Sequence, residues 1–426
     1  LTYVTGDSCV VIMTGGTLGV PRTDAAANLR PVTCYLFGGG KGDQRTRFNT
    51  WTNVKNTRVH VGGTARIFGS VFGGAEDGHV LENAKVGIYN GKIGTTGTSY
   101  VEGNVFGGGR GFSGESLTAG SVGGNVNLTI GGGTMLGSVY GGGRLASVGI
   151  GFTETTDPSY GQLIDDTDED EDGSIEDSER HGHVTIDISG GTIGTTTESG
   201  TAHPVGGNVF GGSMGRITLL DGTLNPIWPK QAVVKLTEVN VSGGEIMNSV
   251  YGGSEYGIVR NRATVNVLPT NNPVIHGNVF GGGYGSDEQD KTTITAGGYA
   301  SIPTMYYTFT PMIWTGCVSG DTFVNISGGT VEKNVYGGGD YASVGLMNFN
   351  SNEDGSEYNY ITKHESLTNG FGLSWPYKFE YIAAAPMDDP TIGGGTQGGT
   401  ATVTITGGKI GDTSNAESGY VFGGCK

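Results

Sequence analysis

Two sets of side chains in this sequence have the types and spacing to do chemistry: one run of carboxylates and several groups of aromatic rings. The carboxylates are Asp165-Asp166-Thr167-Asp168-Glu169-Asp170-Glu171-Asp172. Hard oxygen donors suit calcium, so Asp166, Asp168, Asp170 and Asp172 are candidate ligands for Ca2+. The spacing is not that of an EF-hand, because the glycine and the closing Glu are misplaced. Like charges in a row also repel, so the simpler reading is a solvated loop. His181 and His183 follow directly and are the one close pair among seven histidines. The rings are Tyr299, Tyr306, Tyr307, Phe309 and Trp314, then Tyr358, Tyr360, Phe371, Trp375, Tyr377, Phe379 and Tyr381, with Trp228 in a shorter segment. Such rings either cover a core or, when exposed, stack on sugars and anchor protein partners. Trp228, Tyr306, Tyr307, Trp314, Tyr358, Trp375 and Tyr377 are the candidate contacts for a glycan or protein.

No catalytic set emerges. Glycoside hydrolysis needs two carboxylates facing each other across a groove. The alternating segments carry mostly Thr, Asn and Ser between apolar residues, and Asp187 is a rare acid among them. No G-x-S-x-G elbow or HExxH motif occurs, and Gly107-Gly108-Gly109-Arg110 lacks the GK[ST] of a phosphate loop. An ice-binding threonine ladder at Thr129, Thr185 and Thr404 is broken by Asn127, Ser242 and Asn325. The balance is therefore toward a protein that binds or supports rather than one that turns over substrate. A polysaccharide-degrading β-helix enzyme or tail-spike-like depolymerase is the alternative.

The elements that hold these groups repeat. A motif of Asn or Ser, Val, Phe or Tyr, and two glycines appears at Ser70–Gly74, Asn104–Gly108, Ser138–Gly142, Asn208–Gly212, Ser249–Gly253, Asn278–Gly282 and Asn334–Gly338. Weaker copies stand at Leu36–Gly39 and Val421–Gly424. The rings at 37, 72, 106 and 140 are 35, 34 and 34 residues apart. The next step, 70 residues to 210, reads as two periods, and a later step of 29 residues, from 251 to 280, fits poorly. A second motif alternates apolar and polar residues and ends in Gly-Gly, as in Val126–Gly132, Val184–Gly191, Val239–Gly244, Val324–Gly329 and Val403–Gly408. Period two marks strands with one apolar face.

Stacked units would align Val126, Val184, Val239, Val324 and Val403 in one column, the rings in another, and the Asn/Ser residues in a hydrogen-bonding ladder. The expected fold is all-β: a right-handed parallel β-solenoid running through residues 1–426 as a single body. Whether a 34-residue unit is one coil or two is open at this stage. An antiparallel sandwich would explain the alternation but not the recurrence, and propeller blades are usually longer. Insertions at about 144–183, 214–231, 284–316 and 341–390 follow the aromatic-glycine motif, so they are expected to leave one corner and gather on one edge.

Composition agrees. Glycine makes up 83 of 426 residues without a three-residue period, and there are 13 prolines, which excludes collagen. The net charge of −17 argues against nucleic acid and against docking on an anionic membrane. No apolar run is long enough to insert in a bilayer. Cys9, Cys34, Cys317 and Cys425 form no metal-binding pair, and a Cys9–Cys34 disulfide is conceivable. The chain begins at Leu1 and reads as a piece of a larger product; strong motifs near both ends suggest continuation into more repeats or end-to-end assembly.

The Val-Phe/Tyr-Gly-Gly-Gly corner after an Ile-Ser-Gly-Gly-Thr strand, as at Ile188–Ile193 with Asn208–Gly212 and at Ile326–Gly339, resembles the large glycine-rich, adhesin-like repetitive surface proteins of Bacteroidota. The resemblance spans most of the chain outside the insertions. It implies an extracellular or bacterial outer-surface protein with an adhesive or structural role, and it brings no catalytic residues.

Overall fold

The computed structural model describes residues 7–20, 34–42, 52–96, 101–111, 118–151, 163–168, 175, 179–195, 206–215, 232–285, 315–345, 347–349, 379–381 and 399–426. They form an all-β domain whose two large sheets, of 16 and nine strands, are parallel throughout. Antiparallel strand pairing is confined to two small two-stranded sheets, Thr95–Thr96 with Val101–Glu102 and Met347–Phe349 with Phe379–Tyr381. No helix among the described residues is long and apolar enough to cross a membrane.

Each unit lays one rung on its neighbour. Val126–Ile130 and, past the glycines, Thr134–Met135 join the larger sheet, and Val139–Tyr140 joins the smaller one. The following unit pairs with all three: Val126 with Val184, Thr134 with Thr192 and Val139 with Val209. One unit is thus one rung, not two. Strands of two to six residues bury little alone, and neighbouring rungs supply the missing cover. Val86, Leu128, Ile186, Val239, Val265 and Val324 succeed one another in a buried aliphatic core.

Two expectations change. Val139 pairs directly with Val209, so the 70-residue step is one rung lengthened by insertion, not two periods. The expected valine column is also two residues out: Val184 faces Thr237, while Val239 faces Ile186. Aligning the first valine of each strand allows a two-residue slip, because a period-two pattern looks equally apolar after one; aligning Ser189-Gly190-Gly191 with Ser242-Gly243-Gly244 gives the observed register. The 29-residue step is a rung without an insertion, whose strand Ile258–Val267 pairs with both neighbours.

The two Gly-Gly motifs serve different needs. After the alternating strands the second glycine is left-handed, with φ of 86° at Gly191, 82° at Gly244 and 72° at Gly329. After the aromatic residue the constraint is space. A Cβ on Gly107 would stand 2.2 Å from the carbonyl oxygen of Gly141 on the next rung, and one on Gly141 2.2 Å from that of Gly211.

The aromatic residues form one stack. Phe37, Phe72, Phe106, Tyr140, Phe210, Tyr251, Phe280, Tyr336 and Phe422 follow each other with centroids 4.6–5.1 Å apart. The valine before each central ring belongs to the aliphatic core and the ring to a separate cluster, as alternation across a strand requires. The tyrosine hydroxyl of Tyr140 finds a partner in Glu255 Oε2 at 2.5 Å. Burial and that carboxylate push its phenol well above the ordinary value.

The Asn/Ser ladder forms as expected. The side-chain oxygen of one rung accepts the backbone N–H of the next: Ser70 from Asn104 at 3.0 Å, Asn104 from Ser138 at 2.8 Å, Asn208 from Ser249 at 3.0 Å and Asn278 from Asn334 at 3.0 Å. A second ladder, which no repeated sequence motif marks, runs Asn56, Asn83, Asn125 to the N–H of His183 at 2.8–3.0 Å.

Candidate functional site

The insertions leave the stack at defined places. After each aromatic-glycine corner the chain reaches a line of residues joined by single bridges, including Glu76, Arg110, Arg144 and Met214, and Glu255, Tyr284 and Asp340. The next residue takes one of two forms, and they alternate rung by rung. It is Gly42, Gly111, Gly215 or Gly285, each followed by a segment outside the described residues. Otherwise it is a left-handed non-glycine: Asp77, Leu145, Tyr256 or Tyr341, with φ between 51° and 57°. There the chain turns at once into a valine position: Val80, Val148, Val259 or Val344.

The expectation of one shared corner is therefore corrected. The insertions at about 214–231 and 284–316 leave from the glycine line. Those at about 144–183 and 341–390 leave four residues later, because Leu145 and Tyr341 close the first corner. Their exits are Gly149 and Gly345, and each lies against the returning glycine, Gly182 or Gly399. All four have positive φ, of 84°, 106°, 78° and 68° respectively. A Cβ on Gly149 would come within 2.3 Å of the Cα of Gly182, and one on Gly399 within 2.4 Å of the Cα of Gly345. The sequence signal was present: Ala146-Ser147-Val148-Gly149 and Ala342-Ser343-Val344-Gly345 precede both long insertions.

Of the candidate contact residues, Trp228, Tyr306, Tyr307, Trp314, Tyr358, Trp375 and Tyr377 lie outside the described residues, as do Asp170 and Asp172. Asp166 and Asp168 are described. Asp166 points inward with a fully buried side chain. Its Oδ1 accepts from Lys235 Nζ at 2.8 Å and from the backbone N–H of His181 at 2.7 Å. Its Oδ2 lies 2.9 Å from His183 Nε2. Burial alone would raise its pKa, but the hydrogen bonds from His183, Lys235 and His181 outweigh that and hold the carboxyl well below the usual range. Asp166 thus meets a protein cation, and the arrangement pins the acidic insertion to the stack. Among the described residues, no group of three or more His, Cys, Asp or Glu is placed to hold a metal ion.

A second charged contact binds rungs together at the surface. His276 Nδ1 lies 2.8 Å from Glu332 Oε2 and its Nε2 2.9 Å from Glu245 Oε1. Partial burial lowers its pKa, and the two carboxylates more than reverse that, so the net shift is upward. The four cysteines are free, so Cys9 and Cys34 are not bridged; the Cys34 thiol instead donates to the carbonyl of Leu18 at 3.3 Å. Burial pushes the Cys317 thiol up to about 12, which leaves it a poor nucleophile.

Comparison of the chain with family models, with curated proteins and with solved structures finds no match.

Proposed function

We propose that the chain is a right-handed parallel β-solenoid that serves as an extracellular structural and adhesive rod at a bacterial surface. The nine-ring stack supports this reading most directly, because it holds the rungs in register along the described length. Such a rod supplies reach, and its insertions supply contact. Tyr306, Trp314, Tyr358 and Trp375, carried by two of these insertions, are the residue types that stack on sugars or anchor a protein partner. The resemblance to adhesin-like repetitive proteins of Bacteroidota points the same way.

The test is a glycan-array and cell-binding assay on the whole chain and on variants in which 286–314 or 351–378 is replaced by a short Gly/Ser linker. Binding by the parent and its loss in the variants, with no shortening of any bound glycan, supports the rod. Cleavage of a bound polysaccharide would instead favour a depolymerase.

A further inference from the structure

The outward face of the large sheet changes character along the stack. On the later rungs it is an amide ladder: Asn240 donates to Asp187 at 3.0 Å, Asn266 to Asn240 at 2.8 Å and Asn325 to Asn266 at 2.9 Å. On the second and third rungs it is basic and aromatic. Arg58 and Lys85 are register partners, so their side chains leave adjacent strands on one face, about 4.8 Å apart. Both are exposed, and neither has an ion-pair partner among the described residues. Like charges directly opposite each other destabilise a sheet, so the pairing has a cost that no ion pair among the described residues offsets. Asp7 and Glu82, at the entry to these strands, are engaged by Lys55 at 3.6 and 3.3 Å.

Beside the two cations lies an exposed ring. Tyr89 folds back over the sheet onto two glycines. A Cβ on Gly87 would stand 2.5 Å from its Cε2, and one on Gly131 3.0 Å from its Cδ1. The ring also stacks on His60, with centroids 4.9 Å apart and planes 28° apart, and it stays 50% exposed.

We propose that Arg58, His60, Lys85 and Tyr89 form a subsite for an acidic glycan, a chain of uronic-acid or sulfated sugars. A sugar ring lies on Tyr89 through its C–H face, and its carboxylate or sulfate is met by Arg58 and Lys85. Charge-assisted hydrogen bonds from two cations favour such an anion strongly. The net charge of −17 repels any long polyanion, so the patch suits a single acidic sugar unit of a short oligosaccharide, and the ring on Tyr89 rather than charge alone sets the preference for a sugar. This subsite rests on the glycan-binding reading above but sits on the sheet face rather than in the insertions.

The experiment is calorimetric titration of the whole chain with oligogalacturonate and with a heparin-derived sulfated oligosaccharide. A neutral gluco-oligosaccharide and a double-stranded DNA oligonucleotide serve as controls. At least one acidic oligosaccharide binds, and Tyr89→Ala and the double variant Arg58→Gln/Lys85→Gln each weaken it by about tenfold or more, the double variant without any fall in its thermal midpoint. Absence of binding by either acidic oligosaccharide, unchanged binding in the double variant, or equally tight binding of DNA overturns the subsite. The linker replacement of 286–314 separates the two glycan readings. Binding lost there but kept in the patch variants overturns the subsite and leaves the loop reading intact; the reverse pattern supports the subsite.

Discussion

Phe72 and Phe106 stand 34 residues apart in the chain, yet their ring centroids are 4.7 Å apart and their planes 3° from parallel. Phe106 is 1% exposed and has Tyr140 stacked on its other side at 4.6 Å. Phe106→Ala removes a large buried side chain from the middle of the stack and is expected to cost about 3–5 kcal/mol. Phe422→Ala, at a ring 44% exposed, is expected to cost well under half as much. Urea midpoints of the two variants check this; equal midpoints would mean that the stack contributes little.

Space, rather than backbone angle, demands glycine after each ring that has a further rung stacked beyond it. Gly107→Ala would put its Cβ 2.2 Å from a backbone oxygen that has no room to move, whereas at Gly423 a Cβ meets nothing within 4 Å. Gly107→Ala is expected to unfold the neighbouring rungs or to lower the thermal midpoint steeply, and Gly423→Ala to leave it unchanged. A differential scanning comparison of the same substitution at the same repeat position decides the matter.

The Asn/Ser ladder makes a graded prediction. Asn208→Ala leaves the buried N–H of Ser249 without its acceptor, at a cost of about 1–3 kcal/mol. Asn208→Ser should recover much of the loss, because Ser138 and Ser249 already play this part on adjacent rungs. Amide hydrogen exchange at Ser249 reads the effect locally: fast exchange in the Ala variant, slower exchange in the Ser variant.

Two charged contacts give stability of opposite pH dependence. Asp166 has a depressed pKa, so its contribution is present above the unfolded value of about 3.9 and is lost as pH falls through the lower folded value. His276 has a raised pKa, so its contribution is present below the unfolded value of about 6.5 and is lost as pH rises through the folded one. Lys235→Met leaves the buried Asp166 without its cation and is expected to cost about 3–5 kcal/mol near neutrality. His276→Gln should flatten the loss of stability on the alkaline side while leaving the acid limb alone. Unfolding curves across pH for the three proteins test both signs.

The repeat was readable because identical residues face identical surroundings on each rung. Phe72, Phe106 and Tyr140 announced the stack, and Asn104, Asn208 and Asn278 announced the ladder. Register was readable only from the glycines: Val184-Thr185-Ile186 and Thr237-Glu238-Val239 look alike after a two-residue slip, and it is Ser189-Gly190-Gly191 against Ser242-Gly243-Gly244 that places Ile186 with Val239. The strand Ile258–Val267 carries no glycine marker, because Leu268–Pro273 stands where other units carry Ser-Gly-Gly. The partners of Asp166 were hidden for another reason. Lys235 lies 69 residues away, and nothing local marks a lysine that only the folded rungs bury.

Register is also where the stacking is most exposed to a direct measurement. Asp187 pairs with Asn240, whereas aligning Val184 with Val239 would put Thr185 opposite Asn240. In a background free of native cysteines, paired cysteines at 187 and 240 should oxidise readily to a disulfide, seen as a linked peptide by mass spectrometry. Cysteines at 185 and 240 should stay reduced. Efficient bridging of 185 to 240 and none between 187 and 240 would contradict the in-register stack.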